Sequence, residues 1–374
     1  MVPRRANENQ GRASGIVAPG AKRARDDGRR AFFAVALTVL LLGLAAAWIA
    51  MPKAQAAQDD IRYFRIGTAA TTGTYFQIGG VLANAISKPP GSRDCERGGS
   101  CGVPGLVAIA QATEGSVENV DEVVNGHLES ALAQSDIAYW AYSGTGLFAK
   151  QPPRHDLRAI AGLFPESIHL VVRADGPIHT LKDLRGKRVS LGEKGSGTLV
   201  DAQLVIEAAG LNEHTLKPRY QTLSEAAGAL SHGDIDALFL VGGYPVPAIA
   251  DLAGRTPIRF VPIAGDIADR LVKQYPFFIK DTIPSAAYTG IASPTPTISA
   301  KALWVVNASV PEQLVHDITQ ALWRDANQRM IAAGHPMGQR IKLATTLDGL
   351  VIPLHPGAAR FYRESGIQAP AQTK

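Results

Sequence analysis

The stretch Ile66-Gly67-Thr68-Ala69-Ala70-Thr71-Thr72-Gly73-Thr74-Tyr75-Phe76-Gln77-Ile78-Gly79-Gly80 decides the reading of this chain. An apolar strand signal, Tyr63 to Ile66, runs into a turn of glycine and threonine. The turn opens a helix that carries Tyr75, Ile78, Leu82 and Ile86 on one face. A strand, a small-residue turn and a helix N-terminus together make an anion site. The first N–H groups of the helix have no intrahelical partner, and the positive end of its dipole points the same way. Thr68, Thr71, Thr72 and Thr74 add hydroxyls but no acid or base of useful pKa. The pattern suits holding something polar rather than reacting with it. Alone, it also describes an ordinary capped turn.

Working outward, the 374 residues suffice for two domains. The formal charge of +5 belongs to one end. Residues 1–56 hold nine of the 38 basic and three of the 33 acidic residues, leaving 29 and 30, a net of −1, for residues 57–374. The body therefore lacks the basic footprint of a nucleic-acid binder. Within the basic leader, Ala31 to Ala50 is an uncharged apolar run, and Ala54-Gln55-Ala56 offers a small-x-small cleavage pattern. This predicts an exported, periplasmic protein with its mature end near Ala57. Gly28-Arg29-Arg30-Ala31-Phe32-Phe33 leaves both general and twin-arginine export open. The run is also long enough to span a bilayer, so a retained anchor at residues 31–50 is the alternative. No cysteine flanks the cleavage pattern, against a lipoprotein.

Cys95 and Cys101 are the two cysteines. Six residues apart in an exported chain, they read as a disulfide pinching a small loop, worth roughly 2 kcal/mol on loop-closure grounds. A metal site is the weaker reading, since no histidine or further cysteine lies nearby to complete it. Strand and helix signals alternate along the body. Val107 to Gln111 is a strand, and Ser116 is a candidate N-cap for a helix from Val117 to Asn125. Ser130 to Ala133 is a strand leading into a helix after Gln134-Ser135-Asp136. Ile160 to Phe164 and Ile168 to Val172 read as two strands. Gly195-Ser196-Gly197-Thr198 opens a helix through Leu211, Ser224 to Ser231 is helical, and Asp234 to Leu240 is a buried strand. The alternation means an α/β fold with largely parallel sheets. Leu191 to Thr198 repeats the strand–turn–helix logic of the first site. Two such sites suggest two lobes facing one another, with a ligand between them.

At these residues the chain resembles a known family, the TAXI-type solute receptors of TRAP transporters. The matching segments, in family order, begin with Ile66-Gly67-Thr68, Thr72-Gly73-Thr74-Tyr75 and Ala112 to Asn119 (ATEGSVEN). Ala133-Gln134-Ser135-Asp136, Leu157 to Ala161 and His169 to Arg173 follow, then Leu184 to Val189 and Gly195 to Thr198. Ile283-Pro284-Ser285 with Tyr288 and Gly290 comes last. The ordered set covers roughly residues 60 to 330, and the Cys95–Cys101 loop is similar to one found in part of the family. Ala69-Ala70 stands where glycines are more usual, Gln77 replaces a common proline, and Ile283 to Gly290 keeps part of its pattern. The first two departures bear on the ligand rather than on the fold.

The resemblance implies a periplasmic binding protein of the two-lobed Venus-flytrap type (type II), each lobe a mixed, mostly parallel sheet flanked by helices. Residues 57–175 would begin lobe one, 176–292 form lobe two, and 293–374 return to lobe one, with a long helix Pro311 to Gly334. Such a receptor captures a small carboxylated solute, typically a glutamate-like amino acid, and delivers it to TRAP membrane subunits without a cofactor or metal. A ligand-binding sensor is the alternative within the binding class.

The candidate ligand residues are Thr68, Thr72, Gly73, Thr74, Tyr75, Gln134, Ser135, Ser196, Gly197, Thr198 and Tyr288. Gln134 follows a strand and either bonds a ligand or caps the next helix. Tyr244 and Tyr288 either wall the pocket or sit in the core. Arg173 is either a bidentate carboxylate clamp or a structural ion-pair partner. For an enzyme the motifs are missing. The nine histidines are scattered without an HExxH pair, no GxGxxG or P-loop is present, and the one G-x-S-x-G, Gly98 to Gly102, lies in the cysteine loop rather than on the strand-to-helix turn a nucleophile elbow needs.

Overall fold

The computed structural model describes residues 61–367. The basic leader, the apolar run 31–50 and the expected cleavage site lie outside them.

The strands, in chain order, are β1 (Arg62–Gly67), β2 (Ser87–Lys88), β3 (Val103–Pro104), β4 (Leu106–Gln111), β5 (Ser130–Gln134) and β6 (Leu157–Arg173). They continue with β7 (Arg188–Ser190), β8 (Lys217–Arg219), β9 (Ala237–Gly242), β10 (Ile258–Phe260), β11 (Ile279–Ile283) and β12 (Thr295–Asn307). The helices are α1 (Thr74–Ile86), α2 (Ser116–Val124), α3 (Ser135–Ser143), α4 (Gly197–Ala208) and α5 (Leu223–His232). After them come α6 (Pro247–Arg255), α7 (Gly265–Gln274), α8 (Glu312–Leu322), α9 (Asp325–Gly334) and α10 (Pro356–Glu364). All but β2 and β3 share one sheet of order β4-β1-β5-β12-β6-β9-β7-β8, with β10 on β6 and β11 on β12. Helices flank it, so the fold is α/β with a mixed sheet.

The first half of the sheet carries the parallel set β4-β1-β5, and the second half the parallel set β9-β7-β8. The antiparallel ladders come from β6 and β12, which join the two halves. Up to Ser167, β6 pairs with β12; from Ser167 onward it pairs with β9. The sequence reads as two strands here, Ile160 to Phe164 and Ile168 to Val172. The observed strand is continuous over 17 residues. Pro165 is tolerated beside a register shift between Lys301 and Leu303 of β12, where ladder bonding is already interrupted.

Local chemistry explains the flanking elements. Helix α1 buries Tyr75, Ile78, Leu82 and Ile86, the face its sequence periodicity predicts. It lies so close to the preceding turn that a Cβ at Gly79 would stand 2.4 Å from the Thr68 methyl. Helix α5 carries a capping box of Thr222 and Glu225 and ends on Gly233 at φ 79°. Cys95 and Cys101 are joined, as their spacing predicts, with Cα atoms 4.7 Å apart.

The expected single helix from Pro311 to Gly334 is instead two, α8 and α9. Arg324 between them is extended, at φ −64° and ψ 136°. The buried Asn327 amide compensates, donating to the carbonyls of Ala321 at 2.7 Å and Ala85 at 2.9 Å. It thereby ties the helix break to the end of α1. Asn327→Ala should strand these buried carbonyls and cost about 1–3 kcal/mol, read as a lowered urea midpoint at unchanged slope. An unchanged midpoint would show that the break needs no such tie.

Candidate functional site

A cleft of about 690 Å³, its open mouth included, lies where the two halves of the sheet meet. Four helix entries converge around it. From the first half come the starts of α1 at Gly73, α2 at Gly115 and α3 at Gln134; from the second comes α4 at Ser196.

These entries differ in what satisfies them. The Val117 and Glu118 N–H groups of α2 donate across the cleft to the Gly195 carbonyl, at 3.0 and 3.2 Å. In α4 the Ser196 hydroxyl accepts from the Leu199 N–H at 3.2 Å. No side chain caps α1, and Gly73, Thr74 and Tyr75 at its start line the cleft.

Further bonds cross between the halves. Thr74 Oγ1 donates to the Gly243 carbonyl at 2.6 Å, and the Ala248 N–H donates to the Thr72 carbonyl at 3.3 Å. Gln134 Nε2 donates to Asp201 Oδ2 at 2.7 Å. Gln134 therefore occupies the N-cap position of α3 without capping it, its amide reaching Asp201 instead. This also explains Gly197, where any Cβ would lie 1.5 Å from Gln134 Oε1.

The floor is acidic. Tyr75 donates its hydroxyl to Glu166 Oε2 at 2.6 Å, with the tyrosine on α1 and the glutamate on β6 where its partner changes from β12 to β9. Glu166 is 2% exposed. Burial pushes its carboxyl up to about 8, the Tyr75 bond opposing the shift. Burial first, and the Glu166 charge second, hold the Tyr75 phenol well above its ordinary value. At the mouth, Glu193 is raised to about 7 by burial and by the charges of Glu114, Glu225 and Glu118. Among the described residues the lining includes Glu114, Glu166 and Glu193 but no lysine, arginine, histidine or cysteine.

Of the residues singled out in the sequence, the structure brings Gly73, Thr74, Tyr75, Gln134, Ser196, Gly197 and Thr198 to the lining. The Thr198 hydroxyl is already engaged there, accepting from the Val241 N–H at 3.1 Å. Thr68, Thr72, Ser135 and Tyr288 are not brought there. Thr68 is fully buried, its hydroxyl donating to the Gln111 carbonyl at 2.6 Å and its methyl against α1. Thr72 contributes its carbonyl to the second half instead. The Ser135 hydroxyl accepts from the Lys301 N–H at 3.1 Å, fastening α3 to β12.

Tyr288 belongs to the core of the second half. Its hydroxyl accepts from the Val246 N–H at 3.0 Å and lies 3.1 Å from His169 Nε2. Burial holds that histidine down at about 4, hence neutral. Tyr244 is half-buried and packs against two of the cores, and Arg173 pairs with Asp175 at 3.0 Å on the surface, away from the cleft lining.

A family model described as the NMT1-like family matches residues 66–366. The chain belongs to the NMT1-like family. Among solved structures it is similar to the alkanesulfonate-binding protein SsuA from Xanthomonas axonopodis pv. citri bound to MOPS, at 16% identity and a TM-score of 0.43. That match covers 75% of this chain and 83% of the other. PhnD1 from Prochlorococcus marinus, in complex with methylphosphonate, gives 10% identity and 0.45, over 73% and 90%. The substrate-binding protein of an amino acid ABC transporter gives 13% and 0.39, over 74% and 100%. Scores this low carry no residue correspondence and no ligand to this chain.

In this NMT1-like chain the sequence reading misses Glu166, Asp136, Asp201, Glu114 and Glu193 as parts of the cleft or of its floor. Two leave a visible signal. Glu166 is a lone acid inside an apolar strand run, and Asp201 a lone acid in the apolar start of α4. Both sit where a charge is costly unless it is partnered or neutralised.

Because the folded value of Glu166 lies above its unfolded one, its stabilising contribution is complete below about pH 4.5 and lost as the pH rises through about 8. Thermal melting of the wild type should therefore lose stability between pH 5 and 8. Glu166→Gln should flatten part of that slope, whereas an unaltered slope would show that Glu166 ionises freely.

Proposed function

We propose that the protein is an extracytoplasmic solute-binding receptor that captures a small carboxylated solute in the cleft and delivers it to a TRAP-type secondary transporter. The observation that carries this reading is the cleft itself. Helix entries from both halves of one sheet face a lining of small residues, hydroxyls and acids, on strands β6 and β12 shared by both halves. In this reading the halves are lobes, bounded near residues 175 and 292, and the shared strands are the hinge. The TAXI-like order of motifs supports the TRAP part of it and the basic apolar leader the extracytoplasmic part, while the family match over residues 66–366 bears on solute binding alone.

The lining also narrows the solute. A carboxylate has no basic side chain to meet in the cleft, so it sits on the open N–H groups at the start of α1, where charge-assisted bonds are worth roughly 1.5–3 kcal/mol each. A dianion would then face Glu114 and Glu193 uncompensated. An amino acid brings an ammonium group to those carboxylates, so a glutamate-like amino acid fits better than a plain dicarboxylate. The side chains do nothing chemical to it: they orient it, and closure excludes water.

Calorimetry of the mature chain with L-amino acids and with dicarboxylates tests the reading. One amino acid should bind tightly and be recovered unchanged. Gln134→Leu, which removes the cross-cleft amide, should weaken it by about tenfold or more, one decade being 1.4 kcal/mol. Recovery of a chemically altered compound, or tight binding of a dicarboxylate with no amino acid bound, would overturn the assignment.

A further inference from the structure

Behind the cleft floor lie two carboxylates that the binding reading does not use. Asp136 stands in the first turn of α3 and Asp201 one turn into α4, so they come from opposite halves. Both are 0% exposed. Asp201 Oδ1 has no donor, and the only N–H groups that bear on Asp136 are its own and that of Ile137, in the first turn of α3. The side chains nevertheless lie within hydrogen-bonding reach of each other. Two carboxylates facing each other in a dry contact have no donor between them unless one is protonated.

Nothing packed against the pair offers a positive charge. The Tyr75 phenol of α1 and the Glu166 carboxyl of β6 bear on the pair, and from the end of β5 the Gln134 amide lies on Asp201 Oδ2, its own oxygen 3.3 Å from the Ser116 hydroxyl of α2. Lys301 on β12, whose backbone N–H holds the neighbouring Ser135, turns its ammonium to the Thr345 and Asp348 carbonyls, both at 2.7 Å. Among the described residues no cluster suited to a metal ion is present.

We propose that the contact between the two halves is a proton site: Asp136 and Asp201 share one proton, so the halves close around a solute only with proton uptake. In the closed contact one carboxyl donates its O–H to an oxygen of the other, and a proton from solvent leaves the pair with one buried negative charge in place of two. No bond to carbon is made or broken. Separation of the halves hydrates both groups, and the proton returns to solvent. Burial raises both carboxyls, and the shared proton belongs to the pair rather than to either group. The receptor would thus bind its solute more tightly on the acidic side and release it as the pH rises. Affinity would change by up to about one decade per pH unit for one proton. The proposal rests on the contact and holds whichever solute fills the cleft.

Infrared spectroscopy tests it without a known ligand. At pH 7 the protein, with and without L-glutamate as probe, should show the C=O stretch of a protonated buried carboxyl, shifted in D2O. Asp201→Asn is nearly isosteric and keeps a donor to Asp136, and should remove the part of the band due to the pair. Asp136→Asn should do the same, while Glu166→Gln should remove a separate part. Calorimetry with L-glutamate in two buffers of different ionisation enthalpy should report uptake approaching one proton in the wild type and little in Asp201→Asn. A wild type without the band in either state, or a band unchanged in both aspartate variants, overturns the proposal. A band that behaves as expected in a protein that ignores L-glutamate supports the proton site and counts against the glutamate-like solute alone.

Discussion

Strand β6 serves two masters. Its first part is paired with β12 and its last part with β9, and the change falls at Pro165-Glu166-Ser167. Every feature of the cleft depends on that change. It places the ends of the two parallel strand sets opposite each other, so the helices that follow them point their N-termini into one space. It also puts Glu166 at the crossing, where the carboxyl can reach only Tyr75 on one side and solute or solvent on the other. The same crossing brings α3 and α4 together behind the floor, where Asp136 and Asp201 meet.

The contacts across the cleft are specific rather than merely apolar. The α2 N-terminus takes the Gly195 carbonyl, Gln134 takes Asp201, Thr74 takes Gly243, and Gly197 is small because the Gln134 amide lies over it. The first three are hydrogen bonds from one half to the other. Each is worth little alone, and together they define one closed arrangement. A sheet joined by two strands, with such a set of bonds at its seam, is well suited to opening about those strands and reclosing in register.

Local rules carried the sequence reading where one helix or one turn decides the outcome. The buried face of α1, the capping box of α5, the Cys95–Cys101 pair and the strand–turn–helix logic at both halves follow from spacing and residue type. The misses are tertiary. Ile160 to Phe164 and Ile168 to Val172 read as two strands, but β6 runs on through Pro165, which a register shift on β12 absorbs. The run from Pro311 to Gly334 reads as one helix, yet the Asn327 amide supports a sharp interruption. Ser135, Thr68 and Tyr288 look like cleft residues because they sit in or beside the right motifs. Their hydroxyls are instead taken by Lys301, Gln111 and Val246, which are distant in sequence. The acids went unread for the opposite reason. A lone aspartate or glutamate in an apolar run carries no motif, and its meaning emerges only when the partner element brings a second acid to it.

The central claim is that a solute sits between the helix entries of the two halves, against the open start of α1. The most direct measurement is a crystal structure of the protein purified with its native solute from the periplasm. The expected result is solute density bounded by Gly73–Tyr75 on one side and Ser196–Thr198 on the other, with an anionic group on the first-turn N–H groups of α1. A solute seated elsewhere on the molecule, with this cleft holding only water, would contradict the account.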